Sequence, residues 1–123
     1  MPDMYLAIRE NNRRVVRGGT YDAVYGRTEF QVSEDEVAKA KIEMTNWLAG
    51  ATISGVSLDS SGLTASESHT TTAITLTISD VDGFGWSDVL ITCSDGRIRK
   101  EKLRFASPSA AYPRSDDYGW ARY

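Results

Sequence analysis

The chain has 123 residues, enough for one domain with a modest core and too few for a generous second one. It holds one cysteine, Cys93, so no internal disulfide can form, which fits synthesis in a reducing compartment; the thiol is expected to be a small buried apolar group. The net charge of −3 bears only on solubility, no apolar run is long enough for a membrane-crossing helix, and Met1-Pro2-Asp3-Met4 does not open a secretion signal.

Residues 1–32 mix arginine with tyrosine and hold few aliphatics. Met4-Tyr5-Leu6-Ala7-Ile8 and Arg14-Val15-Val16 suit short strands around an Asn11-Asn12 turn, so the segment is read as an N-terminal arm or hairpin. Residues 33–105 read as a β-domain. Half of the stretch from Thr52 to Ser79 is Ser or Thr, which suits a half-solvated sheet better than a helix. Ile74, Leu76 and Ile78 alternate with polar residues, and Val89, Ile91 and Cys93 alternate with Asp88, Leu90 and Thr92. Asp95-Gly96 predicts a two-residue type I′ hairpin before Arg97-Ile98. Two strands break parity, Ile53 against Val56 and Leu58, and Ile98 against Leu103 and Phe105. A bulge in each would repair the pattern, with Gly55 placed for the first. The stretch from Ser33 to Gly50 fits two templates. Ser33 and Glu36 resemble a capping box ahead of Val37, Ala40, Met44 and Leu48, while Ala38, Ala40, Ile42 and Met44 also alternate as a strand would.

Residues 106–123 are broken by Pro108 and Pro113 and read as an extended tail. Of the chain's aromatics, only Trp47, Phe84, Trp86 and Phe105 fall in the β-domain; the rest lie in the arm and tail. Tyrosine and tryptophan are enriched at interfaces, so Tyr5, Arg13 and Arg14 of the arm and Tyr112, Tyr118, Trp120 and Tyr123 of the tail are the candidate interface residues.

The chemistry of catalysis is not assembled by the motifs. His69 stands alone in a turn-like run, no nucleophile elbow or phosphate loop is present, and Asp80-Val81-Asp82-Gly83 lacks the later ligands of a calcium loop. No enzyme, metal or cofactor is expected. Charge is uneven: residues 33–96 carry ten acids against Lys39 and Lys41, while Arg97-Ile98-Arg99-Lys100-Glu101-Lys102-Leu103-Arg104-Phe105 carries five bases and one acid. The basic run flanks residues that want burial, so its cations cannot all face one ligand. That argues for an acidic surface, either on this protein or on a neighbouring subunit, as its partner and against DNA.

The run from Asp35 to Phe105 resembles a small immunoglobulin-like domain of tailed-bacteriophage virion proteins, the fibre and decoration proteins. The features that carry the resemblance are Glu34-Asp35-Glu36-Val37, Lys41-Ile42-Glu43-Met44-Thr45-Asn46-Trp47-Leu48, Ala51-Thr52-Ile53-Ser54, Ser61-Gly62-Leu63-Thr64, the Thr-rich strand ending at Ser79, and Asp95-Gly96-Arg97. The resemblance implies an all-β, immunoglobulin-like antiparallel sandwich of about seven short strands, with Lys41–Leu48 as a strand and no catalytic residues. It implies a virion structural protein, assembled in the host cytoplasm. The first reading is a capsid decoration or cement protein that binds the major capsid protein or another virion subunit, with homo-oligomeric contacts in the particle. The alternatives are a neck, tail or fibre-attachment component, or a host-glycan binding module with Trp86 as its platform.

Overall fold

The computed structural model describes residues 4–33, 36–81 and 83–107. Ten strands and one helical turn are formed by them: β1 (Met4–Ile8), β2 (Arg14–Arg17), β3 (Gly19–Asp22), β4 (Arg27–Gln31), β5 (Ala38–Glu43), α1 (Thr45–Leu48), β6 (Ile53–Ser61), β7 (Thr64–His69), β8 (Ala73–Ser79), β9 (Phe84–Cys93) and β10 (Ile98–Ala106). One sheet has the order β2-β1-β5-β8-β7 and the other β3-β4-β10-β9-β6. Alternating inward residues of both, among them Leu6, Ile42, Leu76, Val89 and Leu103, share one buried core in a sandwich-like, all-β arrangement.

Two expectations are corrected here. The strands number ten among the described residues, not about seven. The sheets are mixed and not antiparallel throughout, because β1 runs parallel to β5 and β4 runs parallel to β10. The N-terminal segment forms the hairpin expected of it and is built into both sheets. β1 and β2 pair around the Asn11-Asn12 turn, Met4, Leu6 and Ile8 enter the core, and β3 and β4 extend the opposite sheet. The chain passes from one sheet to the other at Gly18, whose φ is +76°.

The ambiguous stretch resolves into both templates in succession. Ser33 N–H donates to Glu36 Oε1 at 3.1 Å and Glu36 N–H to the Ser33 carbonyl at 3.0 Å, but the chain then enters a strand. Ala38, Ala40 and Ile42 pair with Ile78, Leu76 and Ile74 of β8, a burial that a lone helix could not match. The strand expected through Leu48 stops at Glu43. Met44 and Leu48 then bury at helical spacing across α1, which ends on Ala49 and Gly50 at positive φ.

The bulge expected near Gly55 is present, as a register shift between Ile53 and Gly55 against β9. The bulge expected in β10 is not. Its pairing with β9 runs unbroken from Ile98 to Ala106, so Ile98 lies on the outer face, 64% exposed, and Glu101 lies inward beside Leu103 and Phe105. The turn at Asp95-Gly96 also differs from the two-residue form. Gly96 N–H donates to the Cys93 carbonyl and Cys93 N–H to the Arg97 carbonyl, giving a three-residue loop in which only Gly96, at φ +90°, is left-handed. Asp95 accepts from Arg97 N–H (3.1 Å) and Arg97 Nε (2.8 Å). The backbone hydrogen bond from Arg97, with lesser help from its guanidinium, holds the Asp95 carboxyl below its usual range. No atom would lie near a Cβ at Gly96, so the cost of a side chain there is backbone strain alone. Gly96→Val is expected to lower stability by about 1–2 kcal/mol, measured by urea unfolding; an unchanged midpoint would contradict the left-handed geometry.

Candidate functional site

Two constellations of charged and aromatic residues stand out, one internal and one exposed. The internal one closes the sandwich where α1, the β1–β2 turn and β10 meet. Glu101, 2% exposed, accepts from Arg14 through Nε and Nη2, both at 3.0 Å, and from Arg99 Nε at 2.7 Å. Arg14 also lies over the Tyr21 ring at 4.5 Å, and Arg99 Nη1 donates to Asn12 Oδ1 at 2.7 Å. Trp47 Nε1 donates to the same oxygen at 3.1 Å. The last carbonyls of a helix lack intrahelical donors. Here Arg97 supplies them, Nη1 to Trp47 O (3.1 Å) and Nη2 to Leu48 O (2.8 Å), with its guanidinium over the Trp47 ring. These contacts join strands of both sheets, from buried Glu101 out to Asn12 and Arg97 at the surface, which makes them a clamp within the protein.

The exposed constellation is the outer face of the second sheet. Strand alternation turns Gly85, Ser87, Val89 and Ile91 inward, so Phe84, Trp86, Asp88 and Leu90 point out from β9. The same alternation on β10 turns out Ile98, Lys100, Lys102 and Arg104. Register sets Trp86 beside Arg104, Asp88 beside Lys102, and Leu90 beside Lys100. Phe84 and Trp86 are each 47% exposed and Leu90 is 41% exposed, a large apolar area for an outer sheet face. Arg104 lies over the Phe84 ring at 4.8 Å and reaches Glu29 Oε1 at 3.5 Å; Lys100 Nζ meets Asp88 Oδ2 at 3.5 Å; Arg27 Nε meets Glu29 Oε2 at 3.0 Å. Lys102 forms no ion pair among the described residues. Asp59 on β6 faces Asp88 across the ladder, so the face grades from basic at β10 to acidic at its β6 edge. Between the rings and the cations runs a groove of about 370 Å³, lined by Arg27, Phe84, Trp86, Asp88, Lys102 and Arg104. Such a surface can hold a partner that offers carboxylates beside flat apolar groups.

Of the interface residues expected from sequence, the three that are described, Tyr5, Arg13 and Arg14, lie in separate places. Tyr5 lies on the outer face of the first sheet, half-buried, with Arg17 over its ring at 4.8 Å. Arg13 is exposed in the β1–β2 turn, where its N–H donates to Asn11 Oδ1. Arg14 belongs to the clamp. Tyr112, Tyr118, Trp120 and Tyr123 lie outside the described residues. His69 ends β7, exposed, with Nδ1 at 2.9 Å from Glu67 Oε1. Cys93 is buried as expected, and loss of solvent raises its thiol pKa. Sequence reasoning picked out Trp86 but missed its neighbours. Leu90 was visible as the apolar residue on the polar side of the Val89–Ile91–Cys93 alternation; Lys102 carried no signal that separated it from the other four bases.

No protein-family model and no curated protein matches this sequence. What defines the molecule is its architecture, a mixed two-sheet β-domain presenting a cationic and aromatic sheet face.

Proposed function

We propose that this protein is an immunoglobulin-like structural subunit of a tailed-bacteriophage virion, in the first place a decoration protein that binds and stabilises the capsid shell. The observation that carries the reading is the outer face of the second sheet, where Phe84, Trp86 and Leu90 are exposed beside Lys100, Lys102 and Arg104. Rigid strands hold these groups in fixed register, so they can meet a partner subunit at little entropic cost. The role is adhesive and not catalytic. DNA is not the partner, since Arg97 and Arg99 are turned to α1 and Glu101 and the remaining bases share their face with Asp88 and Glu29.

In phage particles carrying the double variant Trp86→Ala/Lys102→Glu, incorporation is expected to fall by at least about tenfold, the loss of one central anchor and one charge contact, while the melting temperature of the purified protein is unchanged. A quantified gel of purified particles reads both occupancy and position. Many copies, in proportion to the capsomers, place the protein on the shell; a few place it at the neck, tail or fibre attachment. Wild-type occupancy of the variant would remove this face from the function. The exposed Trp86 beside a basic groove favours one second reading, a host-glycan module, which would show as saturable binding on a glycan array that Trp86→Ala abolishes.

A further inference from the structure

The exposed face has a chemical match within the chain itself. β10 ends at Ala106, whose carbonyl accepts from Val32 N–H at 2.9 Å, and Ser107 N–H donates to the Gly83 carbonyl at 2.8 Å. The chain therefore leaves the second sheet between β4 and β9, at the Phe84 end of the face. Residues 108–123 have a contour of roughly 50 Å at about 3.3 Å per residue, longer than the ten-residue β9. They carry Asp116-Asp117 directly before Tyr118 and Trp120, the carboxylates and rings that the groove suits.

We propose that the segment from Asp116 to Trp120 of a second copy docks in this groove, its carboxylates toward Lys102 and Lys100 and its rings on Phe84 and Trp86. The inference rests on the structural reading above and names the partner of that same face. A symmetric pairing of two such faces is the poorer fit, because a two-fold axis over β10 would set its cations against each other. Segment into groove is a heterologous contact, in which donor and acceptor surfaces differ. It links copy to copy around a ring or across a lattice and does not close on a pair.

The test uses the chain ended at Ser107, which keeps all ten strands and the buried core, and a peptide of residues 112–123. Calorimetric titration should show saturable binding, weakened by at least about tenfold when Lys102→Glu is in the protein or Asp116→Asn/Asp117→Asn is in the peptide, and weakened by added salt. The full chain should sediment as concentration-dependent oligomers and the chain ended at Ser107 as a monomer. Absent binding, or binding that these substitutions leave unchanged, overturns the proposal. So does a full chain that stays monomeric at every concentration, the mark of a segment held by its own copy. If Lys102→Glu lowers particle incorporation while the peptide never binds, this proposal falls and the structural role stands. If tail-dependent oligomers form but purified particles lack the protein, the structural role falls and this contact stands.

Discussion

Replacing Glu101 with alanine is expected to cost about 3–5 kcal/mol of folding free energy, the range for removing one partner from a buried ion pair. The carboxylate accepts three guanidinium hydrogen bonds, from Arg14 and Arg99, and is nearly sealed from solvent. Without it, two guanidinium groups face each other in a site where both keep only partial access to water. Urea unfolding of the variant measures the loss. A double-mutant cycle with Arg14→Met should give a coupling of about 1–3 kcal/mol, because one single change takes the carboxylate from Arg14 and the other leaves Glu101 with Arg99 alone. A loss below about 1 kcal/mol would mean that the site behaves as an exposed pair.

Phe105→Ala is expected to cost a similar amount, about 3–5 kcal/mol. The ring is fully buried and stacks on Phe30, with centroids 5.7 Å apart, where β4 and β10 run in parallel register. Phe30 in turn fills the space that a side chain at Gly19 would need, since a Cβ there would stand 2.5 Å from the Phe30 ring. Gly19, Phe30 and Phe105 thus form one packed column across three strands, and a cavity at Phe105 cannot be refilled by a simple rotation of Phe30. Phe84→Ala, which removes an aromatic from the outer face, serves as the control and should change stability by no more than about 0.5 kcal/mol. Equal losses from the two variants would mean that the column does not pack as described.

The strands that proved legible were those whose burial partners are aliphatic and alternate strictly. β8 and the inward side of β9 are of this kind, and the parity break at Gly55 announced a real bulge. At the N-terminus the β1–β2 hairpin was legible around its Asn11-Asn12 turn, but its place in the sandwich was not, because the other neighbours are distant in the chain. β1 lies parallel to β5 and β4 parallel to β10, pairings that no local turn specifies. β10 misled for a different reason. An acid at an inward position looks like a register error, and Glu101 is tolerated there because Arg99 on its own strand is joined by Arg14 from 87 residues away. The exposed site was half visible. Trp86 stood out by its chemistry, but its grouping with Lys102 and Arg104 depends on the β9–β10 register, which the three-residue loop at Ser94-Asp95-Gly96 sets.

The parallel pairing of β4 with β10 also bears on how the molecule can be made. Arg104 and Glu29 are opposite each other in the ladder yet 75 residues apart in sequence. During synthesis, β4 must leave the ribosome long before its central partner exists, and until then Phe30 and Val32 lack the strand they are buried against. Closure of the second sheet therefore waits on β10, the last of the described strands to be made. A long loop must close before that pairing can form, and non-local pairing of this kind is expected to slow folding.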